Sequence, residues 1–260
     1  MKNTTLALTL TSTLLLSANF VRAQVTNPPP APPVVTCPDP VTIECTNPAV
    51  VTVGVSDADG GALTVIWTVN GTSVLTNTVP AGTPPLSTNL TFVASLPLGT
   101  NSVSVTAIDN GTNSASCATT VTVVDTIPPT IVSVSATPNV LWPPNHKWVT
   151  IHVSAVVTDP CDATTWKIIS VASNEAVLGH GSGHTSPDWL ITGDHTVQVR
   201  SERAGNDKSG RIYTITIQAT DVSGNVSAPA TVTVTVPHDH GHHNGQGNGN
   251  GNGNGHGHGH

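Results

Sequence analysis

Gly99-Thr-Asn-Ser-Val-Ser-Val-Thr-Ala-Ile-Asp109-Asn-Gly-Thr-Asn113 is a segment that this chain contains in two versions. The second reads Gly210-Arg-Ile-Tyr-Thr-Ile-Thr-Ile-Gln-Ala-Thr-Asp221-Val-Ser-Gly-Asn225. Each alternates in hydrophobicity, ends in an Asp/Gly/Asn turn and is followed by another alternating segment, so each predicts a β-hairpin. Asp109 and Asp221 are 112 positions apart, close to the length of one β-sandwich domain of ~100 residues.

The composition favours strands throughout the chain. Only 9% of the residues are charged and 3% are aromatic. The abundant Thr and Val suit pleated surfaces, and frequent Gly and Pro separate short strands. No segment combines a sustained 3.6-residue period with helix caps. The sequence therefore predicts an all-β protein.

The N-terminus is typical of a secretory signal peptide, which we assign to residues 1–23. Lys2 supplies a positive start, residues 6–16 are largely apolar, and Val21-Arg22-Ala23 fits a cleavage site before Gln24. A membrane anchor is the alternative, but the apolar run is far shorter than the about 20 residues that a spanning helix needs. We therefore expect an exported protein without a membrane span.

The charge distribution argues against nucleic-acid binding. The formal net charge is −7, and removal of Lys2 and Arg22 with the signal peptide brings it to −9. Residues 34–126 contain no Lys or Arg. Phosphate backbones are bound by clustered basic side chains, so nucleic acid is not an expected partner.

Four segments follow the signal peptide. A proline-rich spacer (24–33) precedes a first sandwich (34–126) and a second sandwich (127–237). The Gly/Asn/His-rich tail (238–260) is expected to be disordered because it has no apolar side chain with which to form a core. Predicted strands of the first sandwich are 41–44, 49–55, 63–69, 87–94, 102–108 and 118–124. Predicted strands of the second are 131–136, 148–157, 166–171, 196–201, 211–220 and 230–236. Two long loops, 138–146 and 174–195, carry most of the Trp and His of the second sandwich.

These features resemble tandem modules of the hyalin-repeat (HYR) and bacterial immunoglobulin-like group. Cys37-Pro38, Gly99, Ala107-x-Asp109 and Cys117 match the HYR pattern in the first sandwich. The second sandwich has the turn Ala219-Thr-Asp-x-Ser-Gly-Asn225, and four of its motifs resemble a related module of secreted bacterial proteins: Val140-Leu-Trp-Pro-Pro-Asn-His-Lys147, Ser173-Asn-Glu175, Pro187-Asp-Trp189 and Arg200-x-Glu-Arg203. The resemblance implies two tandem immunoglobulin-like β-sandwiches with adhesive or architectural roles outside the cell. Cys45 and Thr119 depart from the HYR pattern, and Cys161 has no obvious partner within its own sandwich.

Four cysteines in an exported chain imply disulfides and allow three pairings. In an immunoglobulin-like sandwich the first strand often runs parallel to the last, which places Cys37 near Cys117. Closing that loop would stabilise the fold by about 4 kcal/mol in the chain-entropy model. Cys45 and Cys161 would then lie at the facing ends of the two sandwiches, where a disulfide between them would restrict the motion of one sandwich relative to the other.

No motif predicts an enzyme. His180-Gly-Ser-Gly-His184, with Asp188, Asp194 and His195, is the one cluster in the sandwiches that resembles a reactive site. It lacks the helical spacing of metal-ligating histidines, and Ser182 lacks the strand-to-helix context of a nucleophile elbow. A surface loop is the favoured interpretation. Arg200 and Glu202, two positions apart on one strand, predict a weak surface ion pair.

Six aspartates are expected near strand ends: Asp57, Asp59, Asp109, Asp159, Asp162 and Asp221. Oxygen ligands from several loops can bind Ca²⁺, but Asp and Asn are also ordinary turn formers. No spacing matches an EF-hand, so turn formation is the favoured interpretation and no cofactor is predicted.

Two further groups of residues predict binding. Exposed tryptophans stack on sugar rings, so Trp142, Trp148 and Trp189 are candidate ligand-binding residues. The tail has seven histidines that could bind Zn²⁺, Ni²⁺ or Cu²⁺ adventitiously: His238, His240, His242, His243, His256, His258 and His260.

The sequence thus predicts a secreted, non-enzymatic structural or adhesion module of the cell surface or matrix. A carbohydrate-binding module and metal capture by the tail are the alternatives. The expected partner is an extracellular protein or a glycan.

Overall fold

The computed structural model describes residues 30–110, 113–178 and 186–239, which form fifteen β-strands and no helix. The strands of the first half are β1 Val34–Thr36, β2 Val41–Glu44, β3 Ala49–Asp57, β4 Leu63–Val69, β5 Thr72–Val79, β6 Leu86–Ala94, β7 Gly99–Asp109 and β8 Ser114–Val124. Those of the second half are β9 Thr130–Thr137, β10 Trp148–Thr158, β11 Thr164–Ser173, β12 Trp189–Gly193, β13 Thr196–Arg200, β14 Arg211–Asp221 and β15 Ala230–Val236. The all-β prediction is confirmed. The predicted signal peptide lies outside the described residues, as does the tail from residue 240 onward.

Strands β1–β8 form the first sandwich. Its two sheets have the orders β1-β3-β6 and β2-β8-β7-β4-β5, and residues of both enclose one apolar core. Strand β3 buries every second side chain, as the period of a strand requires. Across the core, Trp67 stacks on Phe92 with ring centroids 5.6 Å apart, and its indole nitrogen donates to Asn77 Oδ1 at 2.9 Å. A single large ring thus joins the sheets in a core made mostly of valine.

Strands β9–β15 form the second sandwich, with sheet orders β12-β13-β10-β9 and β11-β14-β15. Its core also draws on both sheets. Strand β14 alternates strictly between buried and half-buried positions along its whole length, and Tyr213, Ile215 and Ile217 are fully buried. The described residues include no helix that is long and apolar enough to cross a membrane.

The first strand of each sandwich divides between its two sheets. In the first sandwich β1 pairs antiparallel with β3, and after a short crossing β2 pairs parallel with β8. In the second, β9 pairs antiparallel with β10, and Val140 then forms a parallel bridge with Thr235. The expected parallel pairing of first and last strands is therefore present in both copies, and the two tandem immunoglobulin-like sandwiches are confirmed.

Three strands have weak sequence signals and were not predicted. β1 has only three residues, and β5 is exposed at nearly every position, so it lacks a buried face to set an alternating pattern. β12 lies inside the segment 174–195, which was interpreted as a loop; it instead pairs with β13 at the edge of a sheet. Both faces of β5 and β12 are largely exposed, so neither strand shows the alternation that arises when one face is buried and the other is solvated.

Two adjacent valines on β3 test the register of the first sandwich. Val51 is 1% exposed and Val50 is 58% exposed. Val51→Ala should lower the free energy of unfolding by about 2–3 kcal/mol, because it removes buried methyl groups from the core. Val50→Ala should lower it by less than about 1 kcal/mol, because it changes only the strand propensity, which both variants lose equally. Urea denaturation of both variants measures the difference. Equal losses of stability would contradict the register.

Candidate functional site

A loop between β9 and β10, residues 138–147, forms the most distinctive surface of the second sandwich. Two backbone hydrogen bonds fix its first half against β15: Leu141 N donates to Thr235 O at 2.8 Å, and Thr235 N donates to Asn139 O at 2.9 Å. The Leu141 side chain is buried in the core. The loop is therefore anchored by its backbone and by an apolar side chain, while its neighbouring residues face outward.

Trp142 and Trp148 are 45% and 37% exposed and line a cleft of about 370 Å³. We call this the tryptophan cleft. Polar groups of Asn145, Lys147 and Ser201 share its walls with the two indoles. Aromatic faces beside a few polar groups are the arrangement with which proteins bind sugar rings and their hydroxyls.

Arg200 covers one face of Trp148. Its guanidinium carbon lies 4.3 Å from the ring centroid, which is a cation–π contact. The guanidinium also donates to Pro187 O at 3.0 Å and to His146 O at 3.2 Å. These contacts hold the orientation of the indole.

The predicted surface pair of Arg200 and Glu202 is wrong. Strand β13 ends at Arg200, so the two-residue alternation does not continue to Glu202. Ser201 and Glu202 are instead both buried. The Glu202 side chain turns into the sandwich, where it binds a different arginine.

That arginine is Arg211, whose side chain is completely buried. Its Nη1 donates to Asp188 Oδ2 at 2.9 Å and to Glu202 Oε1 at 3.0 Å, and its Nε donates to Glu175 Oε2 at 3.2 Å. We call these four residues and Tyr213 the arginine network. Buried charges need such partners, because removal from water is costly for each unpaired ion.

The network places three carboxyl groups around one guanidinium. Burial raises the pKa of Asp188, and the neighbouring Glu202 raises it further against the opposing effect of Arg211. Burial also raises the pKa of Tyr213 to about 12. The Tyr213 hydroxyl is therefore neutral; it accepts from Arg211 Nη1 at 3.1 Å and donates to Arg200 O at 2.8 Å.

The arginine network supports the loop that carries Trp142. His146 Nδ1 lies 3.2 Å from the second oxygen of Glu202, and Ser201 Oγ donates to Pro143 O at 2.8 Å. His146 also donates its backbone N–H to Ser201 O, and its φ of 61° lies in the left-handed region that non-glycine residues rarely adopt. The cleft is therefore connected to the buried charges by several hydrogen bonds.

Sequence reasoning found the cleft tryptophans and missed the arginine network. One signal was available: Arg211 precedes Tyr213, Ile215 and Ile217 at the same alternating positions of β14, which is the buried face. An arginine on a buried face requires carboxylate partners. Its partners Glu175, Asp188 and Glu202 each lie in one of the motifs that resemble a related module, but nothing in the sequence indicated that these three separate segments meet at Arg211.

The other candidate residues of the second sandwich lie apart from the cleft. Trp189 is half-buried against the core, with its ring edge-on to Tyr213 at 6.3 Å, so it is not an open platform. His195 stacks on Trp166 at 3.8 Å. Trp166 pairs with Ala219 near one end of β14, whereas Asp188 contacts Arg211 at the other end of that strand. Asp188 and His195 are thus not brought together, and His180, Ser182 and His184 lie outside the described residues.

Both disulfides favoured from sequence are present. Cys37–Cys117 closes the first sandwich with a Cα–Cα distance of 5.8 Å. Cys45–Cys161 links the first sandwich to the second with a Cα–Cα distance of 5.9 Å. We call residues 125–129, together with this second disulfide, the joint.

The repeated Asp/Asn turn contacts the segment that precedes each sandwich. Asn225 Nδ2 donates to Asp221 Oδ2 at 2.9 Å and to Asp125 O, in the joint, at 3.1 Å. Asn113 Nδ2 donates to Asp109 Oδ2 at 2.9 Å and to Pro30 O at 3.2 Å. The two copies therefore use one side chain in the same way, to hold the incoming chain.

Asp57 and Asp159 act in turns, as favoured from sequence, whereas Asp59 accepts from Ala31 N and Asp162 accepts from Val222 N and Ser223 N, in distant segments. Asp57 Oδ1 accepts from the N–H groups of Asp59 and Gly60. Asp159 Oδ1 accepts from the N–H groups of Cys161 and Asp162 in the same way. Of the tail histidines only His238 is described, with Nδ1 2.8 Å from Asp239 Oδ1; His240, His242, His243, His256, His258 and His260 lie outside the described residues. Metal binding by the tail stays a prediction.

No protein-family model and no curated protein matches this chain. Among solved structures, it is similar to the Clostridium thermocellum CbhA fibronectin(III)-like modules at 15% identity, covering 81% of this chain and 100% of that one with a TM-score of 0.28. The N-terminal Ig1-2 module of Drosophila receptor protein tyrosine phosphatase DLAR matches at 14% identity over 77% and 97% of the two chains, with a TM-score of 0.27. Sidekick-1 immunoglobulin domains 1-5 match at 12% identity over 80% and 39%, with a TM-score of 0.33. The TM-scores are low, so the fold rests on the strand pairing and cores described above.

Removal of the buried guanidinium tests the arginine network. Arg211→Met should destabilise the second sandwich by about 3–5 kcal/mol, because it leaves buried carboxylates without their cation. Lys208→Met removes the same charge from an exposed position and should change the free energy of unfolding by less than about 0.5 kcal/mol. Urea denaturation of both variants is the measurement, and similar stabilities of the two would contradict the assigned role of Arg211.

The raised pKa of Asp188 predicts a pH dependence of definite sign. The folded chain holds a proton on this group more tightly than the unfolded chain, whose Asp pKa is about 3.9. The contribution of Asp188 to stability should therefore be lost as pH rises from that value through the raised pKa. Relative to Asp188→Asn, the native protein should lose stability over this range, measured by urea denaturation at several pH values. The exposed Asp194→Asn is the control, and a relative gain with rising pH would contradict the assignment.

Proposed function

We propose that this chain is an exported, non-enzymatic protein whose two sandwiches act as one stiff spacer or adhesion module of the cell surface or extracellular matrix. The observation that carries the proposal is the Cys45–Cys161 disulfide. It adds a second covalent connection between the sandwiches, beside the main chain. Two separate connections restrict bending and twisting at the joint far more than one linker does.

Non-covalent contacts at the joint act in the same direction. Thr126 donates its N–H and its hydroxyl to the two oxygens of Glu44, at 3.1 and 2.7 Å. Asn225 holds the carbonyl of Asp125, and Pro128 and Pro129 have restricted φ angles. The short segment between β8 and β9 is therefore held from both sandwiches. Such a joint is suited to transmit a load or to present a surface at a fixed distance.

Several features support an extracellular location. All cysteines among the described residues are in disulfides, and such bonds persist in oxidising compartments. The predicted signal peptide agrees with this. The HYR-like and bacterial immunoglobulin-like motifs imply the same setting and an architectural or adhesive role.

The proposal of a non-enzymatic role draws on how the reactive side chains are used. Asp188 holds the buried Arg211, and His195 stacks on Trp166. Both residues belonged to the one cluster that the sequence offered for catalysis, and both have structural contacts. The titratable groups of this region thus stabilise the sandwich that presents the tryptophan cleft.

A second function, glycan binding, is favoured by the cleft itself. Two partly exposed indoles with neighbouring polar groups on an anchored loop form a preorganised apolar surface. The second sandwich would bind an extracellular glycan, and the joint would hold the first sandwich at a fixed distance from it. Trp142 and Trp148 would stack on sugar rings.

The spacer proposal is tested by removing each disulfide separately. Cys45→Ser with Cys161→Ser should broaden the distribution of distances between the sandwiches in small-angle X-ray scattering, because one covalent connection is lost. Cys37→Ser with Cys117→Ser should lower the stability of the first sandwich by about 2–5 kcal/mol without this broadening. An unchanged distribution in the first double variant, or free thiols at Cys45 and Cys161 in non-reducing peptide maps, would contradict the proposal.

The glycan proposal is tested on an array of plant, animal and bacterial polysaccharides. For any glycan bound, Trp142→Ala and Trp148→Ala should each weaken the affinity at least about tenfold, as expected for aromatic anchors. Leu190→Ala is the control, since Leu190 is exposed on the neighbouring strand β12 outside the cleft. Absence of binding across the array would leave the spacer as the sole proposed function.

A further inference from the structure

Three carboxylates meet at the joint. Asp125 follows strand β8, whereas Asp159 and Asp162 belong to the loop between β10 and β11 of the second sandwich. One oxygen of each lies within 4.8 Å of the others. Ligand oxygens around one Ca²⁺ lie at about 2.3–2.6 Å from the ion, so oxygens at this mutual spacing can share it.

Two of these carboxylates have a buried oxygen without a hydrogen-bond donor. Asp125 Oδ1 accepts from Ile127 N at 2.9 Å, and Asp159 Oδ1 accepts from Cys161 N at 2.8 Å and Asp162 N at 3.2 Å. The Oδ2 atoms of Asp125 and Asp159 are buried and have no partner. Asp125 as a whole is only 9% exposed. Because buried carboxylate oxygens normally have a partner, these two atoms can accept a further ligand.

The electrostatics of the joint indicate that this ligand is a cation. Asp159, Asp162 and Asp221 all place negative charge close to Asp125. Residues 34–126 contain no Lys or Arg that could offset this charge from the first sandwich. The cluster is therefore held together against like-charge repulsion, which a bound cation would reverse.

We propose that Asp125, Asp159 and Asp162 bind one Ca²⁺ ion at the joint between the two sandwiches. Ca²⁺ takes six to eight oxygen ligands in flexible geometry, and water molecules would complete the shell. Zn²⁺ prefers nitrogen and sulfur ligands, and the nearby sulfurs of Cys45 and Cys161 are joined in a disulfide. The donor set is thus all oxygen.

A bound ion would give a role to the carboxylate oxygens of these aspartates that turn formation does not use. In Asp125 and Asp159 the Oδ1 atoms make the local turns, while the Oδ2 atoms remain for the ion. Asp162 binds the Val222 and Ser223 N–H groups, so it connects the site to the loop after β14. The ion would join the linker to the loop between β10 and β11, next to the Cys45–Cys161 bond.

Isothermal titration calorimetry with CaCl₂ on the EDTA-treated protein tests the site. We expect one ion per chain with a Kd of about 10⁻⁴–10⁻³ M, the range of extracellular modules. Asp125→Asn and Asp159→Asn should each weaken binding at least about tenfold. Asp57→Asn is the matched control, because Asp57 makes the same turn as Asp159 but lies in the first sandwich. The Ca²⁺ affinity of this variant should equal that of the native protein.

Hydrogen exchange on the unmodified protein locates the ion without any variant. Ca²⁺ should slow exchange of the amides of Ile127, Cys161 and Asp162, which donate to the ligating carboxylates. Three results would overturn the proposal: no Ca²⁺ binding up to about 10 mM, well above the expected range; binding that is equal in Asp159→Asn and Asp57→Asn; or Mg²⁺ bound as tightly as Ca²⁺. None of these would affect the spacer proposal, whose test is the loss of the Cys45–Cys161 bond.

Discussion

The Cys45–Cys161 bond constrains the two sandwiches at the joint, where the Asn225 side chain also contacts the linker. Cys45 follows the end of β2, and Cys161 lies in the loop that carries Asp159 and Asp162. The bond therefore fixes the second sandwich beside the segment 125–129. With that distance set, the Asn225 side chain reaches the Asp125 carbonyl, and three carboxylates from both sides of the joint come together. A free linker would leave these groups apart, because their mutual repulsion opposes contact.

The two sandwiches repeat more than a strand pattern. Each divides its first strand between its sheets, pairs the second part parallel with its last strand, and ends its penultimate strand in an Asp/Asn turn. In both, the asparagine of that turn holds the carbonyl of the incoming segment, at Pro30 in the first copy and Asp125 in the second. The same turn that terminates a hairpin thus also positions the chain before each sandwich. This explains why the turn keeps its spacing while the surrounding strands differ in residues.

Local alternation was sufficient to predict most of the fold. Strands such as β3 and β14 bury one face, and this leaves a period of two in the sequence. β5 and β12 are edge strands with mostly exposed side chains, so they leave no such pattern. The favoured disulfides followed from the expected direction of the first and last strands, which is a property of the sandwich as a whole.

The candidate sites were predicted only where a single residue type carried the signal. Trp142 and Trp148 stand out because aromatic residues are rare in this chain. The buried guanidinium of Arg211 is paired with the carboxyl groups of Glu175, Asp188 and Glu202. These residues come from three segments that only the folded chain brings together. Asp125 was not grouped with the other aspartates, since it follows a strand directly and its neighbours come from the second sandwich. The arginine network and the aspartate cluster at the joint therefore both form through contacts between segments that are distant in sequence.

Two covalent connections at the joint should make the two sandwiches tumble as one body in solution. ¹⁵N relaxation of residues 24–260 tests this, because it reports the rotational diffusion of each sandwich separately. Amides of β1–β8 and of β9–β15 should fit one common diffusion tensor and one correlation time, and reduction of the Cys45–Cys161 bond should separate them. Two different correlation times in the oxidised protein, each typical of a sandwich of its own size, would contradict it.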